Sequence, residues 1–305
     1  MNLHKIIIIC GPTGVGKSSL AIELAKRCNG EIINADSQQV YRDLDIGTAK
    51  IKFNETQGIP HHLIDIVTPD KHFDANNFVD LADKAILEIS GKNKLSFIIG
   101  GTGLYLKMLI NGICDAPPQS PDLRKKYQEI INTNGLRKLY NHLCKIDQTS
   151  AKFIHPNDKT RIVRALEIYE LSGKTASKFY NDHNFINKRY DSLKLGINIP
   201  RKDLYDKIDN RVDIMLKNGW VDEVKKLLVT YPSSAKAFSA IGYREIIRFI
   251  NNKIPYDKMV SLIKRNSRHY AKRQLTWFMS DKEISWFHPD ETDKIEKEIL
   301  SFLKH

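Results

Sequence analysis

An α/β fold is predicted for this chain of 305 residues, with a parallel sheet core, an inserted all-helical block and a helical C-terminal region. Three observations predict it. The apolar run Ile6, Ile7, Ile8, Ile9 enters Gly11-Pro12-Thr13-Gly14-Val15-Gly16-Lys17-Ser18 and leaves through Leu20-Ala21-Ile22, the strand, loop and helix context that a Gly-x-x-x-x-Gly-Lys-Ser phosphate loop demands. Further apolar runs at 31–35, 95–99 and 193–199 have the length of strands buried on both faces of a parallel sheet. Between about 121 and 187 the apolar positions recur at helical spacing instead.

In the first loop, successive backbone N–H groups at a helix N-terminus wrap a phosphate, Lys17 adds a point charge, and the Ser18 hydroxyl can hold Mg²⁺. The loop therefore grips a diphosphate. Asn29-Gly30 stops the first helix, Glu31 to Ala35 reads as the second strand, and Asp36-Ser37 can cap the next turn. Asp36 also stands at a parallel strand's carboxyl end, where ligands bind, so the capping and ligand-facing readings both stay open. A third strand is expected within Pro60 to Ile66. The adjacent His61 and His62 would alternate to opposite faces of it, with no third ligand at a usable spacing, so no metal site is expected there.

Residues 74–90 carry a helical stripe (Phe78, Leu81, Ala82, Ala85, Ile86, Ile89) that ends at Gly91. The next strand, Leu95 to Ile99, runs into Gly100-Gly101-Thr102-Gly103-Leu104-Tyr105. Phosphate-loop ATPases often place an Mg²⁺-supporting Asp at such a strand end. Glycines there let a ligand or another backbone approach closely, which predicts an edge that accepts a bulky partner rather than one that hydrolyses ATP.

Asp115 to Pro121 reads as a linker. The expected organisation is a core of residues 1–114 and 193–305, with 115–192 as a helical insertion. Beyond Pro200, Leu204, Ile208, Val212, Met215 and Leu216 share one helix side, with Arg211 among polar neighbours. Lys264, Arg265, Arg268, Lys272 and Arg273 crowd ten residues near Tyr270, Trp277 and Phe278. That block suits contacts along an RNA backbone or, equally, a solvated face over a buried aromatic stripe.

With 41% apolar residues the chain can build a substantial core. Its net charge is +12, and the excess is not spread evenly. Residues 1–114 are balanced, while 115–195 and 196–305 each carry +6. The split suggests a small ligand in the first part and a polyanion, nucleic acid above all, on the rest or, equally, general solubility. Cys10, Cys28, Cys114 and Cys144 are scattered and signal neither disulfides nor zinc. The N-terminal apolar run is too short for a signal peptide and no window reaches a membrane span, so a cytoplasmic enzyme with no membrane association is expected.

Over nearly its full length the chain resembles the tRNA dimethylallyltransferases, also called tRNA isopentenyltransferases. The resemblance rests on an ordered series: Gly11-Pro12-Thr13-x-x-Gly16-Lys17-Ser18, Asp36-Ser37-x-Gln39-Val40-Tyr41-Arg42, Gly47-Thr48-Ala49-Lys50 and Pro60-His61-His62-Leu63. It continues through Gly100 to Tyr105, His155-Pro156-Asn157-Asp158, Arg161-x-x-Arg164-Ala165-Leu166-Glu167, Ile241-Gly242-Tyr243-x-Glu245 and Tyr270-Ala271-Lys272-Arg273-Gln274. The likeness is to the bacterial form, which lacks a zinc finger.

What the resemblance implies is a P-loop NTPase-like core that moves a dimethylallyl group from dimethylallyl diphosphate to N6 of the adenine immediately 3′ of the anticodon. Gly11, Pro12, Thr13, Gly14, Val15, Gly16, Lys17 and Ser18 would hold the diphosphate, with Mg²⁺ on Ser18. Lys17 and Arg211 would neutralise the leaving group, Thr13 would face the bridging oxygen, and Asp36 would act as general base. The resemblance puts Asp36, Ser37, Gln38, Gln39, Thr102, Arg124, Thr160, Arg161, Ile162, Val163 and Arg164 against the tRNA anticodon stem-loop. It also implies a monomer with no obligate protein partner. Departures from the family pattern are small: Gly14-Val15 for Ala-Ser, Ser18 for Thr, and Ile51 for Pro. Two rivals are a small-molecule or nucleotide kinase, which needs an adenine site and an acceptor hydroxyl, and an RNA-binding module that senses nucleotide.

Overall fold

Six parallel strands in the order β3-β2-β4-β1-β5-β6 form the sheet of a computed structural model that describes residues 3–304. β1 (Lys5–Cys10) is central, between β4 (Leu95–Gly100) and β5 (Asp191–Ile197). β2 (Gly30–Asn34) lies beyond β4, and β3 (His61–His62) is the edge next to β2. Chain order therefore runs one way through β2 and the other way through β5, which makes the carboxyl end of β1 the point where the strand order reverses. Open α/β sheets bind ligands at such a point.

β1 and β2 are apolar through most of their length because both faces of the sheet are covered. α1 (Lys17–Arg27) supplies Leu20, Ala21, Leu24 and Ala25 to one core, and α13 (Thr292–Lys304) adds Ile295 and Ile299 to the same core. α2 (Ala75–Gly91) begins at Asp74, whose carboxylate accepts from the N–H groups of Asn76 and Asn77, and buries Phe78, Ala82, Ala85, Ile86 and Ile89 as the periodicity predicts. α3 (Gly103–Asn111) follows β4.

The chain divides into two compact units, one of residues up to Ile110 and from Arg189 onward, the other Asn111–Lys188. The second contains α4 (Pro121–Asn134), α5 (Leu136–Ile146), α6 (Gln148–Phe153), α7 (Lys159–Ser172) and α8 (Ala176–His183). Its own core gathers Tyr127, Leu139, Leu143, Ile162, Leu166, Ile168 and Ala176. α7 stops at Gly173, which takes the left-handed conformation at φ 69°. The first unit closes with α9 (Arg201–Lys217), α10 (Trp220–Thr230), α11 (Tyr243–Ile250) and α12 (Tyr256–Met279).

Two expectations need correction. The third strand is only two residues long, because Leu63 and Asp65 take positive φ and turn the chain away from the sheet. The C-terminal region is not wholly helical: β6 (Ile284–Phe287) pairs with β5. Lys194 Nζ on β5 reaches Asp281 at 2.6 Å, which ties down the turn leading into β6. Among the described residues no helix is long and apolar enough to cross a membrane, and no group of three or more His, Cys, Asp or Glu could hold a metal.

Candidate active site

Gly11 follows β1 where a Cβ would stand 2.4 Å from the carbonyl oxygen of Ile197, at φ +146°, so only glycine permits this close approach to β5. Gly16, at φ 100°, precedes α1 with no side-chain cap and no acidic residue in the first turn. The first helical N–H groups thus have no partner within the helix and face the loop as an anion site. Lys17 Nζ lies over the loop, 2.7 Å from the Pro12 carbonyl oxygen. Burial lowers the Lys17 pKa to about 8, although nearby Asp36 favours its charged form. The Ser18 hydroxyl is exposed at the cleft wall and has no protein partner among the described residues.

A cleft of about 800 Å³ opens above this loop, entirely within the first unit. Thr13, Lys17 and Ser18 form one wall, Asp36 to Gln39 another, and Arg211 comes from α9. Arg211 Nη1 donates to Thr13 Oγ1 at 3.3 Å and Nη2 to the Thr48 carbonyl oxygen at 3.4 Å. The structure therefore brings together the loop, Asp36 and Arg211, three groups that the sequence separates by up to 200 residues.

Asp36 both caps and faces the cleft. Its Oδ1 accepts from the N–H of Gln38 at 2.8 Å and, more weakly, of Gln39 at 3.4 Å. Among the described residues Oδ2 has no hydrogen-bond partner, which leaves one carboxylate oxygen free to take a proton. The Ser37 N–H donates to Thr102 Oγ1 at 3.3 Å, so the turn after β2 is tied to the loop after β4.

The glycines after β4 serve the protein's own packing. A Cβ on Gly100 would stand 2.2 Å from the Ala35 carbonyl oxygen, and one on Gly101 would stand 2.0 Å from Gln274 Nε2. The expected approach of another backbone is seen at Gly100, while at Gly101 the close neighbour is a side chain of α12; both glycines also line the cleft. Gln274, whose role sequence reasoning missed although the residue closed one of the matching segments, uses both ends of its amide. Nε2 donates to the Gly101 carbonyl at 3.0 Å, and Oε1 accepts from the Thr13 N–H at 2.9 Å. Tyr270, one turn earlier, lines the cleft, with burial pushing its phenol up to about 12.

The basic run of α12 is partly engaged within the fold. Lys264 Nζ meets Asp213 at 2.7 Å and Arg268 Nη1 meets Asp209 at 2.6 Å, both acids lying on α9. Arg265 and Lys272 are exposed and make no such pair among the described residues.

In the second unit the residues expected against tRNA divide into three kinds. Thr160 and Arg161 are exposed in the first turn of α7, after Asp158, which accepts from the Arg161 N–H at 3.0 Å. Ile162 and Val163 are 0% and 8% exposed, because the helical period turns them into that unit's core, so their side chains offer nothing to a polyanion. Arg124 and Arg164 both converge on fully buried Glu167, with Nε of Arg124 at 3.0 Å and Nη1 of Arg164 at 2.8 Å. Burial opposes ionisation of Glu167, but hydrogen bonds from both guanidiniums and the Ser120 N–H outweigh it and hold the carboxyl below its usual range.

Comparison with known proteins places this geometry in context. A family model described as IPP transferase matches residues 39–281. The chain is 44% identical over 300 residues to tRNA dimethylallyltransferase 2 of Geotalea uraniireducens, covering 98% of this chain and 97% of the relative. The crystal structure of full-length tRNA isopentenylpyrophosphate transferase from Bacillus halodurans superposes with a TM-score of 0.75 at 39% identity, over 99% of this chain and 97% of the other. A eukaryotic dimethylallyltransferase acting on tRNA gives a TM-score of 0.79 at 32% identity, over 94% of this chain and 74% of the other.

Proposed function

The chain belongs to the IPP transferase family, and from that membership we propose that it transfers the dimethylallyl group of dimethylallyl diphosphate to N6 of the adenine immediately 3′ of a tRNA anticodon. The observation that carries the proposal is the single cleft in which the phosphate loop, Arg211 and the free oxygen of Asp36 meet.

The chemistry follows from those groups. An exocyclic adenine amine is a weak nucleophile because its lone pair is delocalised, so its proton must leave as the nitrogen attacks. N6 forms a bond to C1 of the donor, the bond from C1 to the diphosphate oxygen breaks, and the N6 proton passes to Asp36 Oδ2. Inorganic diphosphate leaves with the bonding pair. Loop amides, Lys17 and Arg211 stabilise the charge that grows on it, and Thr13 Oγ1, already paired with Arg211, faces the bridging oxygen. The Ser18 hydroxyl, exposed at the cleft wall, is the protein oxygen that would hold Mg²⁺, and the ion would supply positive charge beside the leaving group.

An adenine must leave its stack to enter such a cleft, and unpaired loop bases cost least to extrude. Ser37, Gln38, Gln39 and Thr102 line or support the wall beside Asp36, which favours their contact with the flipped base. Thr160 and Arg161 are the second unit's exposed candidates for the tRNA backbone, with Arg124 and Arg164 held in fixed orientation by Glu167. A monomer acting in the cytoplasm completes the proposal. The test is incubation of the protein with labelled dimethylallyl diphosphate and unmodified tRNA carrying adenines 3′ of the anticodon. Label entering the tRNA at that adenine is the expected result; turnover of ATP without transfer overturns the proposal in favour of a kinase.

A further inference from the structure

The segment Asp45 to Lys50 carries no group that touches the reacting atoms in the proposed mechanism, yet it is held unusually firmly. Glu223 on α10 accepts four hydrogen bonds with one carboxylate. Its Oε2 takes the N–H groups of Asp45 at 3.1 Å and Ile46 at 2.6 Å, and its Oε1 takes the Gly47 N–H at 3.3 Å and the Tyr243 hydroxyl at 2.7 Å. Burial and the neighbouring Glu223 push the Tyr243 phenol well up, so it stays a donor. Gly47 is drawn so close to the ring of Trp220 that a Cβ there would lie 2.1 Å from the indole nitrogen.

The next residue gives this clamp a purpose. The Thr48 carbonyl oxygen accepts from Arg211 Nη2 and from Gln39 Nε2, at 3.4 and 3.0 Å. Among the described residues Arg211 makes one further hydrogen bond, to Thr13 Oγ1. We propose that Glu223 is a positioning residue: by clamping the backbone of Asp45 to Gly47 it fixes the Thr48 carbonyl that aims Arg211 at the leaving diphosphate. This rests on the proposed donor chemistry, since it assigns Arg211 to that diphosphate. A glutamine at this position has the same shape but presents an NH₂ group to N–H donors, so it breaks at least one side of the clamp.

The experiment is a double-mutant cycle of Glu223→Gln and Arg211→Ala, read by calorimetric binding of inorganic diphosphate and by single-turnover transfer to tRNA. Glu223→Gln alone should weaken diphosphate binding about tenfold and slow transfer, with tRNA affinity unchanged. Because Glu223 acts through Arg211, adding it to Arg211→Ala should cost less than about twofold more. Independent, multiplying losses overturn the inference, as does an effect confined to tRNA affinity. If Glu223→Gln fails to fold, Glu223→Asp enters the same cycle, since it keeps the carboxylate charge but draws it back by one methylene from the three backbone N–H groups. The binding arm needs no group transfer, so a wild-type protein that transfers no label refutes the proposed function, while the cycle still decides the clamp.

Discussion

Replacing Asp36 by asparagine separates its cap from its proposed role as general base. The cap uses Oδ1, which accepts from Gln38 N–H at 2.8 Å and Gln39 N–H at 3.4 Å, and an asparagine oxygen can take both bonds. Asparagine and aspartate are about equal as caps, so folding stability should change by no more than a few tenths of a kcal/mol, whereas Asp36→Ala should lose about 1 kcal/mol. Proton acceptance uses the other oxygen, and an amide cannot supply it. General-base catalysis contributes about 10² to 10⁴ in rate, equivalent to about 3 to 5 kcal/mol of barrier, and Asp36→Asn should lose that amount. The charge of Asp36 also supports the protonated form of Lys17, so its removal lowers the Lys17 pKa further and weakens donor binding near pH 8. The assay is therefore single-turnover transfer at pH 6.5, where Lys17 stays charged in either protein, alongside thermal melts and tRNA binding. Transfer by Asp36→Asn within about fivefold of wild type would refute the base assignment and leave Asp36 a cap alone.

Donor affinity should fall as pH rises through about 8, because the ammonium form of Lys17, proposed to bind the diphosphate, is lost across that range; calorimetry from pH 6.5 to 9.5 checks this, and a flat profile contradicts it. Gln274→Leu should orphan the Thr13 N–H and the Gly101 carbonyl together, cost about 2 kcal/mol of stability and weaken donor binding, which urea unfolding and diphosphate titration would measure. Glu167→Ala leaves two guanidiniums facing each other without their carboxylate and should destabilise the second unit by about 3 kcal/mol. A loss below about 1 kcal/mol in denaturant titration would show that solvent screens both arginines already.

Much of this arrangement was legible from residues alone, and the misses have physical causes. The run from Ile6 to Ser18 announces strand, loop and helix because each part has its own local signature. β6 has no signature in sequence because four residues between two helices, one buried and three half-buried, carry no distinctive period. The third strand was expected too long because Leu63, Ile64 and Ile66 read as apolar, while the positive φ at Leu63 and Asp65 is a tertiary outcome. Ile162 and Val163 lie within the segment that the resemblance puts against tRNA, while the helical spacing of α7 turns their side chains inward. Glu223 has no signature in sequence: three of its four partners lie more than 170 residues away, on backbone N–H groups that every residue but proline possesses.

The doubly used amide of Gln274 sets a gauge. One end is fastened to the donor loop at Thr13 and the other to the shelf at Gly101, whose neighbour Thr102 in turn holds the turn that bears Asp36. In the proposed reaction the width of the gap between a departing diphosphate and an incoming base is thus measured out by the length of a single glutamine side chain. That ruler belongs to a helix near the far end of the chain from both loops it spaces, so the two halves of the reaction are kept in register by a residue that takes part in neither.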